Sequence, residues 1–289
     1  MQGWLVVNAF YNSTKLTDIY NMLQASCAKC GMQLEVRTTA DIVAPFGKPL
    51  VDKPDFAVFW DKDIVCARRL ESQGVPVFNC ARAIELCDNK LLTAERLCGL
   101  VPVPDTIAAP KTFEGVGYNN LDFLQKAAET LGLPMIIKEA YGSYGKQVYL
   151  AETLEQAAEI VAKIGWKEFL LQRYIGAHRG TDIRMNVVGD TVTSAMLRHN
   201  PDDFRSNVSN GGTGTAYRFT RQQADVALRA CSALGLDFGG VDILLDDNDN
   251  PVVCEVNSNP HFLSTLAATG DDVSLHIAQH IKNRLTNKQ

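Results

Sequence analysis

The sequence predicts an α/β protein in which a parallel-sheet lobe is followed by a region of paired strands and helices. Three observations lead there. Over the first 80 residues short apolar strands alternate with amphipathic helices, as in a parallel sheet with crossover connections. After a proline-broken segment, VPVPDT, strands paired through tight turns take over. The 289 residues suffice for two or three lobes, and 46% hydrophobic with 21% charged residues is an ordinary globular composition.

Taken in order, GWLVVNA at 3–9 reads as a buried strand. Leu16, Ile19, Tyr20, Leu23 and Cys27 then recur at helical spacing, and Gly31 ends that helix. Strands follow at 33–37 and 55–60, a helix near 64–73, and the strand VPVFN. This lobe has no G-x-G-x-x-G, so it is read as one wall of a cleft and not as a dinucleotide site. Residues 79–100 read as one helical stretch with Lys90 in its middle, and Pro102, Pro104 and Pro110 then force an extended entry to the next lobe. A helix at 122–132 ends at Gly132. The strand 135–138 runs into a loop with Gly142, Ser143 and Gly145 and out into the strand 147–150. A helix at 155–163 and a strand at 168–175 follow, and strands 182–188 and 191–198 pair around Gly189-Asp190. The loop DFRSNVSNGG at 203–212 and a helix at 221–235 lead to a hairpin whose strands flank DDNDNP, and a helix at 273–285 closes the chain.

A formal net charge of -5 gives no basic footprint for nucleic acid or an anionic membrane. No run approaches a membrane span, and the start lacks a basic region and cleavage site, so a cytoplasmic, reduced protein is expected. The eight cysteines fit that setting as scattered free thiols. Cys27 and Cys30 form a C-x-x-C late in a helix and without a second ligand pair, which argues against a zinc or redox role. Asp246, Asn248 and Asn250 lack the glycine and glutamate of a calcium loop, and His276 and His280 lack a third ligand.

Chemistry concentrates in three places. Glu255 and Asn257 share a strand face, and Asp242 on the neighbouring strand would add a second carboxylate. Carboxylates held close repel unless a cation or proton lies between them, and oxygen-only ligands with positions to spare suit magnesium. A half-buried hairpin with polar residues on its wet side is the plainer alternative. The loop of Gly142, Ser143 and Gly145 lets backbone N–H groups approach a phosphate, with Lys138 as a point charge. It lacks the P-loop spacing, and an ordinary glycine turn is the alternative. Arg184, Arg198 and Arg205 are expected to converge, unpaired, on one cleft and to bind carboxylate or phosphate there; surface salt bridges are the alternative. Asp182 and Arg184 share a strand face.

GVDIL before EVNSNP, AIELCDNKLLTAERL before VPVPDT, the glycine loop after Lys138, and then QRYI, TDIR and FRSN with a following GG form an ordered set. In that set the chain resembles ATP-grasp ligases, and among them the RimK-like carboxylate–amine ligases. The resemblance runs from Asn79 to the C-terminus. It implies an ATP-grasp fold, two α+β lobes clasping ATP, preceded by a Rossmann-like parallel-sheet domain. The corresponding division is 1–80 and 81–289, with the small lobe near 103–175 and the large lobe near 176–289. It implies that Lys90 and Lys138 contact the nucleotide, that Gly142, Ser143 and Gly145 belong to the loop closing over its phosphates, and that Gln172, Arg173, Tyr174 and Ile175 bind adenine largely through their backbone. Asp182 would meet the ribose, and Arg205, Ser206 and Asn207 the nucleotide. Asp242, Glu255 and Asn257 would hold Mg2+ or Mn2+, as two ions sharing Glu255. Arg184, Arg198, Arg205 and Asn207 would serve catalysis.

The implied reaction phosphorylates a carboxylate with ATP and lets an amine displace the phosphate. The implied substrates are a carboxylate on a peptide, protein or small molecule and an amino-acid amine; homo-oligomerisation stays open. Two positions depart from close relatives. Arg173 stands where glutamate is usual, at a contact made by the backbone. His261 stands where glycine is usual and would narrow or repurpose the amine pocket; assisting deprotonation of the amine and a plain packing role are the two readings of its imidazole. The rival readings are a dipeptide ligase of the D-alanine–D-alanine type and an ATP-binding module without turnover.

Overall fold

The computed structural model describes residues 1–11, 13–143, 145–207 and 211–287. Tyr144 of the glycine loop and residues 208–210 of the DFRSNVSNGG loop lie outside the described residues. The first lobe comprises β1 (Gln2–Val7), α1 (Thr14–Lys29), β2 (Gln33–Thr38), β3 (Phe56–Trp60), α2 (Ile64–Ser72) and β4 (Val77–Phe78). Its strands pair in parallel in the order β2-β1-β3-β4. Ser13 caps α1 by accepting from the Leu16 amide, and of the five positions its periodicity marked the helix buries Leu16, Ile19, Leu23 and Cys27 and leaves Tyr20 partly exposed.

The stretch 79–100 is not one helix. Asn89 divides it into α3 (Ala81–Asp88) and α4 (Lys90–Leu97), and its side chain accepts from the amides of Leu91 and Leu92. An asparagine that captures the backbone donors ahead of it starts a new helix. Lys90 therefore opens α4 and does not sit mid-helix.

β5 (Thr106–Ala108), α5 (Asp122–Leu131), β6 (Met135–Glu139), β7 (Val148–Ala151), α6 (Leu154–Ile164) and β8 (Phe169–Arg173) form the second lobe. Its antiparallel sheet runs β5-β8-β6-β7. The apolar faces of α5 and α6 close over it into a core drawn from this lobe alone.

The third lobe contains β9 (Thr181–Val188), β10 (Thr191–His199), β11 (Thr213–Ala216), α7 (Arg221–Leu234), β12 (Phe238–Leu245), β13 (Pro251–Asn257), α8 (Leu263–Thr269) and α9 (Val273–Thr286). Its antiparallel sheet runs β11-β10-β9-β12-β13. β11 and α8 were not anticipated. α7 backs the β12–β13 hairpin through Val226, Ala227 and Ala230. α9 crosses to the first lobe, where Val273, Ile277 and Ile281 share a core with Leu16, Ile19 and Leu23 of α1. Phe238 stacks on Trp60 at 5.7 Å in the same core. Asn79, fully buried, fixes the junction: it accepts from the amides of Asp237 and Phe238 and donates to the carbonyls of Phe238 and Ser258. No helix among the described residues is long and apolar enough to cross a membrane.

Candidate active site

A cleft lies between the second and third sheets. It is lined by Lys90, Lys138, Gly145, the run Gln172 to Ile175, Asp182, Arg198, the run Arg205 to Asn207, Asp242 and Glu255. Elements from three separate parts of the chain thus bring most of the anticipated residues to one place. Gly142, Ser143, Arg184 and Asn257 do not line it. A larger crevice of about 830 Å³ opens elsewhere, between β4, α7 and α9, and holds none of these residues.

Strand register explains the acidic end. Arg184 on β9 lies beside Asp242 on β12, and Asp242 beside Glu255 on β13, so the three form one row across the sheet. The ladder slips directly after this row: Ile243 meets Val253, leaving Cys254 as the extra residue of a β-bulge. Strict alternation would send Cys254 and Glu255 to opposite faces, yet both line the cleft. Cys254 was missed because nothing in VVCEV marks a bulge. Burial pushes its thiol up, opposed by Lys138, whose Nζ lies 3.7 Å from Sγ.

Lys90 Nζ donates to the Gly142 carbonyl at 2.9 Å and lies 3.9 Å from Glu255 Oε1. Burial lowers its pKa; Glu255 opposes this and the Lys138 charge adds to it. Gly142 and Gly145 have φ of 153° and 70°. A Cβ on Gly145 would stand 2.8 Å from Asn207 Oδ1, so this glycine is what lets the loop approach the FRSN segment. Arg205 ties the two loops by donating to the Gly145 carbonyl at 2.9 Å. Lys62, just beyond β3, was also missed; it pairs with Asp88 and donates to Ser143 Oγ at 3.2 Å. Its position after the carboxyl end of a parallel strand was the available signal.

Arg198 and Arg205 line the cleft, Arg184 reaches it only through its partner Asp242, and none of the three is unpaired. Arg184 grips Asp242 with Nε and Nη2, the latter at 2.8 Å. Arg198 grips Asp182 in the same two-pronged way and reaches Asp242 Oδ2 at 3.0 Å. Arg205 pairs with Asp203 at 2.7 Å. These partners are supplied by neighbouring strands and turns, which is why the sequence left them hidden. Burial pushes Asp242 up, but Arg184 and Arg198 outweigh it and hold its carboxyl below the usual range.

No group of three or more His, Cys, Asp and Glu side chains gathers into a metal-binding cluster among the described residues. The donor set here is different: the carboxylates of Asp242 and Glu255 in register, and the side-chain amide of Asn257 two residues further along β13, which could offer its oxygen. Oxygens of this kind fit a hard divalent cation that completes its shell with water and substrate phosphates.

At the other end, β8 ends at Arg173, so Tyr174 and Ile175 leave the ladder while still lining the cleft. Gln172 is buried and donates to Thr106 Oγ1 at 2.9 Å. The Arg173 side chain binds Asp105 at 2.9 Å. His261 is mostly buried, and burial followed by the charges of Arg184 and Lys15 lowers its pKa. The discounted motifs go to local partners: Asp246 accepts from the amides of Asn248 and Asn250, His276 bonds Asp271, and His280 bonds Asp237. Burial pushes the Cys27 thiol up to about 12.

Residues 90–281 match the family model described as RimK-like ATP-grasp domain. The chain is 36% identical over 265 residues to N-acetylaspartylglutamate synthase A of Homo sapiens, covering 90% of this chain and 65% of that protein. It is 33% identical over 260 residues to Beta-citrylglutamate synthase B of Danio rerio, covering 89% of this chain and 63% of that protein. The chain thus spans just under two thirds of the length of these relatives. Its fold is similar to that of a RimK domain ATP-grasp protein from Sphaerobacter thermophilus, with a TM-score of 0.74, 21% identity and coverage of 96% and 98% of the two chains.

Proposed function

The chain belongs to the RimK-like ATP-grasp family, and from that premise we propose that it is an ATP- and divalent-cation-dependent carboxylate–amine ligase. One observation carries the reading: a single cleft collects both lysines, the β8 exit, the FRSN loop and the carboxylates of Asp242 and Glu255.

Lys90, Lys138 and the loop tied down by Arg205 hold the phosphates of ATP between the sheets. The backbone of residues 172–175 holds adenine, and Asp182 faces the ribose. Asp242, Glu255 and Asn257 hold Mg2+ or Mn2+, which when bound neutralises charge on the transferring phosphoryl group. An oxygen of the acid substrate attacks the γ-phosphorus, ADP departs, and an acylphosphate forms. The amine then attacks the carbonyl carbon, inorganic phosphate departs, and an amide remains. Arg184, Arg198, Arg205 and Asn207 orient the acid and stabilise the oxyanion of the tetrahedral intermediate. His261, whose pKa is lowered by burial and by the charges of Arg184 and Lys15, accepts the proton shed by the amine. The amine donor is an amino acid, and the acid is a peptide, protein or small-molecule carboxylate. The two named relatives make products that contain glutamate, so glutamate belongs in the first set of donors tested.

The test is phosphate release from ATP across a matrix of acids and amino acids, with product mass read in parallel. Release that needs both partners and yields a condensation mass supports the ligase. ATP binding with no release in any pairing would favour a nucleotide-binding module.

A further inference from the structure

The buried arginine–aspartate quartet is unevenly anchored. Arg198 is fixed by both prongs to Asp182 and touches Asp242 with one nitrogen at 3.0 Å. Arg184 spends both prongs on Asp242. All four residues are deeply buried, at 8% exposure or less, and their formal charges cancel. Asp242 is at the same time the register neighbour of Glu255. A two-pronged guanidinium occupies both carboxylate oxygens, so Arg184 and a divalent cation compete for the same atoms.

We propose that Arg184 is a partner-exchange residue: it closes Asp242 in the metal-free protein, yields it to the cation, and then offers its freed guanidinium to the carboxylate of the acid substrate. This rests on the ligase reading above and deepens it. A buried guanidinium left without an anion is costly, so cation loading creates a vacancy that a carboxylate fills, and the acid binds after the metal. Arg198 keeps its place throughout because Asp182 retains it. Gly240 flanks the pair: a Cβ there would stand 3.2 Å from Arg184 Nη1, so the glycine lets this guanidinium lie where it does. The Arg184 charge also contributes to the lowered pKa of His261, the group proposed to accept the amine proton.

Mn2+ binding to the metal-free full chain, read by electron paramagnetic resonance, tests this without turnover. Arg184→Lys keeps the charge and loses the two-pronged grip, and should bind Mn2+ about fivefold more tightly than wild type. Arg198→Lys should change the affinity less than about twofold, because Asp182 still holds that side chain. Unchanged or weaker Mn2+ binding by Arg184→Lys overturns the proposal, as does wild-type protein that binds no Mn2+. Should Arg184→Lys fail to fold, wild-type crystals soaked with Mg2+ and a nonhydrolysable ATP analogue decide. An Arg184–Asp242 pair still closed at 2.8 Å overturns exchange, and a parted pair supports it. Absence of ATP turnover would sink the ligase reading and still leave the Mn2+ comparison readable.

Discussion

Asp242 and Glu255 face each other across the β12–β13 ladder as register partners, yet only Asp242 is gripped by guanidinium groups. The two carboxylates should therefore respond differently to neutralisation. Glu255→Gln should cut ATP-dependent amide formation by about 100-fold with little change in melting. Asp242→Asn should do the same and also cost about 3–5 kcal/mol of stability, because it strands buried guanidiniums. Phosphate release and urea unfolding measure the two effects. Equal stability of both variants would contradict the quartet as described.

Gly145→Ala tests the approach of the two loops. Its φ of 70° is unfavourable for alanine by about 1–2 kcal/mol, and the added methyl meets Asn207 Oδ1 at 2.8 Å. The dissociation constant for ATP should rise about tenfold, read by nucleotide titration, and urea unfolding should show a stability loss of about 1–2 kcal/mol from the backbone strain.

His261 gives a pH signature. Its pKa is lowered by burial and by Arg184 and Lys15 from a reference of 6.5. In the window between the lowered value and 6.5 the unfolded chain binds more protons than the folded one, so stability rises with pH there. The penalty is present in full below the lowered value and vanishes above 6.5. Urea unfolding across this acidic range should show a steeper loss of stability for wild type than for His261→Gln. Identical slopes would show that the imidazole titrates as in the unfolded chain.

Asn79→Ala removes four hydrogen bonds at the junction of the first and third lobes. Several buried backbone groups lose their partner, and the expected cost is about 3–5 kcal/mol. Chemical denaturation measures it. A loss below about 1 kcal/mol would mean that other groups re-satisfy those atoms.

Much of this was legible in the sequence, for reasons that can be named. The β12–β13 hairpin announced itself through β-formers flanking DDNDNP, and α1 through apolar residues on one stripe. Lys90, Lys138 and the two carboxylates were marked by residue type within ordered motifs. What stayed hidden depended on non-local pairing. The partnership of Arg184 with Asp242 and of Arg198 with Asp182 requires the register of β9 against β12 and β10. β11 reads TGTA and α8 reads LSTLAAT; both are short and weakly patterned, and β11 owes its form to pairing with β10. The break at Asn89 lies inside a run that keeps a helical look on both sides, and only the cap geometry exposes it.

The packing of α9 on α1, with Phe238 against Trp60, welds the opening and closing segments of the chain into a single anvil. The β5–β8 sheet keeps a private interior and is the jaw. Opening to admit nucleotide should then swing the jaw as a unit and leave the anvil still. Amide exchange would slow on nucleotide addition along the rims where jaw meets anvil, and the α1–α9 seam would keep its protection throughout.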